Sequence, residues 1–211
     1  MSGTVYLVAS GQDGLLTKVA ERAVRELGKS APRVAVSYAP VEGDARGVRF
    51  MSRRMPGLFP GAVLEPVEHD RRVVDRADLV FVTGGDPTHG ARVLARTGAA
   101  AWMREAHARG VPMMGVSAGA ILLGEYWVDW PDDEDARPEA AGLVKCTGVV
   151  AGHVFDTHDE DDGWQELHVA AQLLWRQGEK PRLLGIPTHG ALVFHPDGHM
   201  EVVGNAPETL G

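Results

Sequence analysis

Gly115-Val116-Ser117-Ala118-Gly119-Ala120 is a G-x-S-x-G run, set between the apolar stretch Val111-Pro112-Met113-Met114 and the helix-compatible run Ile121-Leu122-Leu123. A strand that turns sharply into a helix holds one side chain in a strained, exposed position. Small residues at 115, 118 and 119 let the flanking backbones approach. Ser117 at such a corner is a candidate nucleophile, with a helix N-terminus beneath it to favour developing negative charge. The same letters also suit a small-residue turn that packs a helix on a sheet. The motif alone leaves both readings open.

Outward from this corner, apolar runs alternate with helical patterns. Residues 4–9, 33–38 and 77–83 read as strands, and 62–67 as a further candidate. Helical spacing runs over 15–27 up to Gly28, over about 88–96, and over 99–108 up to Gly110. Strands and helices in this rhythm imply parallel βαβ units with helices on both faces of the sheet. The 40–60 stretch is rich in Gly, Arg and Pro and resists assignment; its cluster Arg46, Arg49, Arg53 and Arg54 reads as a solvated loop. An acidic loop is expected over about 129–145, then a strand over 149–156 and a helix over 164–177 with Leu167, Ala170, Ala171, Leu174 and Trp175 on one side. Short strands close the chain, with Pro196-Asp197-Gly198 supplying hairpin chemistry.

The length of 211 residues fits one domain able to bury a substantial core. A net charge of −8 without a Lys/Arg stripe argues against nucleic acid as a partner. No leader pattern and no apolar stretch long enough for a bilayer is visible, so no membrane association is expected. Cys146, the single cysteine, excludes an internal disulfide and fits a reducing compartment, which makes the cytoplasm the expected location.

In open α/β sheets, sites lie beyond the carboxyl ends of the strands. Three segments meet that condition: Gly84-Gly85-Asp86, Ser117, and Asp156-Thr157-His158. Backbone N–H groups at Gly84-Gly85, with that of Ala118, suit an oxyanion hole; a plain strand-to-helix turn is the other reading of the glycine pair. A serine nucleophile needs a base, usually histidine. His153 falls mid-strand in a packed phase, whereas His158 falls at the strand end, which favours His158. His89, His189, His195 and His199 lie on loops or edges. The run 156–162 also admits a metal reading, but it has no H-E-x-x-H or Cys/His spacing, and acids at 159–162 suit the start of the next helix. No metal and no cofactor is expected.

The order Gly-Gly-Asp, then G-x-S-A-G-A, then D-x-H resembles the peptidase E and cyanophycinase family of serine peptidases over roughly residues 77–195. The resemblance implies a fold like that of class I glutamine amidotransferases over 1–211: an α/β three-layer sandwich whose mostly parallel, doubly wound sheet carries a nucleophile elbow. It implies Ser117 as nucleophile, His158 as base, Gly85 and Ala118 as oxyanion donors, and Asp86 and Asp156 as residues lining the substrate pocket. It also implies a small peptide or amide substrate and makes a homodimer plausible. The amidotransferases carry cysteine at the elbow; serine there, with Cys146 elsewhere, counts against glutaminase chemistry. Where the family often has an acid to orient the histidine, this chain has Pro187 and Thr188; Asp132 or Asp135 is the alternative source, or a histidine oriented by a backbone carbonyl. Acids at 159–162 replace the arginine-rich segment of cyanophycinases and would repel an aspartyl substrate. A substrate with a basic group is equally open.

Overall fold

The computed structural model describes residues 2–12, 14–67, 70–131 and 140–210. Its first half runs β1 (Val5–Val8), α1 (Leu15–Leu27), β2 (Arg33–Ser37), α2 (Ala45–Leu58), β3 (Val63–Pro66), α3 (Arg71–Asp75), β4 (Leu79–Val82), α4 (Pro87–Thr97) and α5 (Ala99–Ala108). The second half runs β5 (Met113–Val116), α6 (Ala118–Leu122), β6 (Tyr126–Asp129), β7 (Gly142–Lys145), β8 (His153–Thr157), α7 (Gln165–Arg176), β9 (Arg182–Ile186), β10 (Gly190–Phe194), β11 (Met200–Gly204) and β12 (Glu208–Leu210).

The main sheet has the order β11-β10-β1-β5-β4-β2-β3. From β1 to β3 all pairings are parallel, and β10 and β11 add an antiparallel edge. Side chains alternate across it, as the pleat requires. Tyr6, Val8, Val36, Phe81 and Val116 pack with α1 and with Met55 and Leu58 of α2. Val5, Leu7, Val80, Val82 and Met113 pack on the other face with α3, α4, α5 and α6. The mostly parallel α/β architecture, with helices on both faces, is the one the apolar rhythm predicts.

Three local expectations are corrected. Residues 45–58 form α2, not a loop: Asp44 caps the helix by accepting from the Arg46 N–H. Gly47, Pro56 and Gly57 weaken its helical signal, but Met55, Leu58 and the following Phe59 anchor it, with Phe59 edge-on to Phe81 at 5.2 Å between centroids. Tertiary burial overrides propensity there, while Arg46, Arg49, Arg53 and Arg54 do face solvent. Second, the region expected as an acidic loop over 129–145 contains β7, paired antiparallel with β6; Asp132 and Asp135 lie outside the described residues. Third, the strand expected from 149 starts only at His153, after Gly152 turns the chain at φ 71°.

That strand does not join the main sheet. β8 pairs in parallel with β9, and β9 in antiparallel with β12, to form a separate three-stranded sheet covered by α7. Among the described residues, no helix is long and apolar enough to cross a membrane.

Candidate active site

β5 is buried along its whole length and delivers the chain to Ser117 at φ 53°, ψ −125°. The Ser117 N–H is still tied to the sheet through the Val8 carbonyl at 2.9 Å, while the Ser117 carbonyl already accepts from Ala120 at 2.7 Å. This abrupt change of direction needs glycine on both sides. A Cβ at Gly119 would stand 2.2 Å from the Val82 carbonyl oxygen, and one at Gly115 would stand 2.3 Å from that of Gly119. A non-glycine residue in such a conformation costs on the order of 1–3 kcal/mol. Ser117 and His158 are two of the four non-glycine residues with positive φ among the described ones, so strain gathers at this corner. α6 spans only five residues, so the charge stabilisation expected from a helix beneath Ser117 reduces to its first amides.

His158 follows β8 at φ 49°, its N–H held by the Ile186 carbonyl at 2.9 Å. Its Nε2 lies 2.8 Å from Ser117 Oγ, within hydrogen-bond distance. His153, at the opposite end of the same strand, is not brought to the serine. Its Nδ1 is 2.9 Å from the Ala151 carbonyl oxygen, and its ring packs against Phe155 and Phe194. His89 contacts the Glu42 carbonyl and His195 contacts Glu201, both away from Ser117.

Gly85 and Ala118 border the same cavity as Ser117. Gly85 adopts φ 144°, and a Cβ there would meet the Pro40 carbonyl oxygen at 2.4 Å, so only glycine fits the bend. Among the described residues neither the Gly85 nor the Ala118 N–H has a hydrogen-bond partner. Asp86 is tied into the start of α4. Its carboxylate caps α4 by accepting from the His89 N–H at 2.9 Å, and it borders a separate hollow beside Pro40 and Glu42.

Asp156 is only 3% exposed. One carboxylate oxygen accepts from the Thr157 N–H at 2.7 Å, and the other has no partner among the described residues. Burial pushes its pKa up to about 8, against the pull of that one hydrogen bond, and the charges of Asp159 and Glu166 push in the same direction as burial. Asp159 is raised to about 6, first by burial and then by its contact with Glu166. Oxygens of Asp156, Asp159 and Glu166 all lie within 4.8 Å of one another. Sequence reasoning found the first two but missed Glu166. The available signal was its place in the first turn of the helix that follows the acidic run.

The loop at Pro187 and Thr188 also has an acid at hand, supplied by another segment. The Thr188 N–H donates to Glu160 Oε1 at 2.9 Å. Burial alone would raise the Glu160 carboxyl, but hydrogen bonds from Thr188 and the nearby His158 hold it below its usual range. Cys146 is buried away from the corner, its N–H bonded to the Glu125 carbonyl, and burial pushes its thiol pKa far up. An unreactive thiol follows.

Among the described residues, two cavities open at Ser117 and His158. The larger, of about 430 Å³, also touches Leu16, Phe50, Arg53 and Phe81. The smaller, of about 200 Å³, touches Trp127, Asp156, Asp159 and Glu166. A mostly parallel α/β sheet that presents a serine on a strand–helix turn, faced by a strand-end histidine, defines the structural class. The sequence profile of peptidase family S51 matches residues 59–202, more than half of the chain, and the protein belongs to that family. It is a peptidase. Its structure is similar to that of a peptidase from an acI-B1 Actinobacterium, with a TM-score of 0.76, 19% identity and coverage of 100% of this chain and 94% of the other. It is also similar to a putative peptidase E protein from Listeria monocytogenes EGD-e, with a TM-score of 0.63, 17% identity and full coverage of both chains. No curated protein matches the sequence.

Proposed function

We propose that the protein is a serine peptidase of the peptidase E type, acting on a small peptide or amide through an acyl-enzyme on Ser117. The observation that carries this reading is the 2.8 Å contact between Ser117 Oγ and His158 Nε2 at the mouth of two cavities. Neutral His158 takes the hydroxyl proton as Ser117 Oγ attacks the carbonyl carbon. The N–H groups of Gly85 and Ala118 stabilise the oxyanion, and the Ser117 turn acts as the nucleophile elbow. The imidazolium then protonates the leaving amine. Water, deprotonated by the same histidine, releases the acid product.

His158 is held by its own N–H to Ile186, and Glu160, anchored on Thr188, places negative charge near it. Serine at the elbow, with the single thiol buried elsewhere, counts against glutaminase chemistry. We infer a cytoplasmic location from the lone reduced cysteine.

Treatment of the intact protein with a small fluorophosphonate tests the nucleophile. Attack of Ser117 Oγ on phosphorus with loss of fluoride should add one phosphonyl group per chain, and Ser117→Ala should abolish the mass increase. An unlabelled wild-type protein from mildly acid to mildly alkaline pH would count against the reading.

A further inference from the structure

The smaller cavity beside Ser117 gathers carboxyl groups for which the described residues supply no cationic partner. Asp156 is 3% exposed, lines this cavity, and keeps one oxygen without a hydrogen bond among the described residues. Buried carboxylates are normally paired, because leaving one bare costs more than most single contacts contribute. Asp159 repeats the pattern with its own bare oxygen, and Glu166 stands beside both. Among the described residues, no Lys or Arg borders the cavity. By contrast, other carboxylates of this chain are matched: Glu201 receives two hydrogen bonds from Arg22, and Glu65 lies between Arg33 and Arg76.

Resting on the serine peptidase reading above, we propose that this cavity is the specificity subsite and that it takes an organic cation of the substrate. The ligand chemistry is an ammonium or guanidinium, from a basic side chain or from a free N-terminus. Three observations support it. The cavity also touches Ser117, Ala118 and His158, so an occupant lies next to the reacting carbonyl. The three carboxylates have oxygens within 4.8 Å of one another. Two acceptors on one ammonium, each about 2.8 Å from nitrogen at tetrahedral angles, stand about 4.6 Å apart. Finally, Trp127 and Ile121 form part of the wall, an aromatic and an aliphatic surface for the stem and face of a cationic side chain.

A bound cation also removes the cause of the raised carboxyls. Burial near like charge raises the carboxyls of Asp156 and Asp159, and a positive partner favours their ionised forms. An aspartyl or glutamyl side chain has the opposite effect and is excluded from this subsite.

Equilibrium binding separates the sources without requiring turnover. Wild type and Ser117→Ala are titrated calorimetrically with acetyl-lysinamide (side-chain cation only), norleucinamide (α-ammonium only) and acetyl-norleucinamide (neither). At least one of the two cations should bind tenfold or more tighter than the neutral compound. The winner identifies a basic side chain or a free N-terminus as the source. Asp159→Asn and Glu166→Gln should each reduce that preference at least tenfold. Thermal unfolding checks their integrity: both variants should melt no lower than wild type, since each removes like charge. Equal binding of all three compounds overturns the proposal, and so does absence of binding up to about 10 mM. Magnesium or calcium that binds the wild type, displaces the amine and is lost in the same variants also overturns it, in favour of a metal site. Amine binding by a protein that fluorophosphonate does not label would instead remove the catalytic reading and leave the subsite.

Discussion

On one side of Ser117 the larger cavity is floored by Leu16, Met55 and Phe81, and its arginines are already engaged or free to turn to water. Arg54 donates to the Gly11 carbonyl and lies over the Phe50 ring at 5.4 Å. On the other side, Asp156, Asp159 and Glu166 crowd together, and Asp156 and Asp159 each keep one oxygen without a partner among the described residues. The first wall obeys the rules that stabilise any fold, with apolar groups packed and polar groups satisfied. The second violates them beside a strained serine and a strained histidine. Violations of this kind concentrate where structure is held for function rather than stability. Charge, more than shape, distinguishes the two ways into this site.

The sharpest way to break that contrast is to disable the group both cavities share. His158→Gln keeps a polar side chain of similar reach but cannot take up a proton. Turnover of any peptide substrate should fall by about 10³–10⁴ with little change in KM, since the loss is confined to the transition state. Fluorophosphonate labelling should slow in parallel. A variant with near wild-type turnover would mean that another group deprotonates Ser117.

A smaller effect should come from the acidic wall alone. Asp156 titrates near 8 in the folded chain but near 4 when unfolded. The folded state therefore retains a proton that the unfolded state has lost between these pH values. The resulting stability is fully present below about pH 4 and is lost as pH rises through 8. Asp156→Asn should remove this dependence. In urea unfolding it should match wild type near pH 4 and exceed it near pH 9 by on the order of a few kcal/mol. Identical pH profiles for the two proteins would show that Asp156 is solvated or paired in solution.

The legible part of the fold is the part written in local pattern. Four-residue apolar runs such as Leu79-Val80-Phe81-Val82, punctuated by glycine, mark the parallel strands, and small residues at 115, 118 and 119 mark the corner. The phase of β8 also separates His158 at the strand end from His153 at its start. α2 was hidden because Gly47, Pro56 and Gly57 speak against a helix that only the contacts of Met55, Leu58 and Phe59 with the sheet stabilise. The acidic subsite was hidden for a different reason. Asp156 and Glu166 lie ten positions apart and meet because α7 packs back on the separate β8–β9 sheet. Glu160 reaches Thr188 through the same pairing of distant segments. The cap that Asp86 provides to α4 was not read from the sequence, because an acid after a glycine pair carries no mark of the N–H it will accept from.

An acyl group on Ser117 Oγ is the intermediate on which the proposed chemistry depends, and it can be trapped. The protein is mixed with the p-nitrophenyl ester of a basic amino acid, quenched in acid within milliseconds to seconds, and examined by intact mass and peptide mapping. A burst approaching one p-nitrophenol per chain is expected, with the aminoacyl group on the peptide containing Ser117 and neither signal in Ser117→Ala. An acyl group on a different residue, or undiminished turnover by Ser117→Ala, would contradict the proposed chemistry.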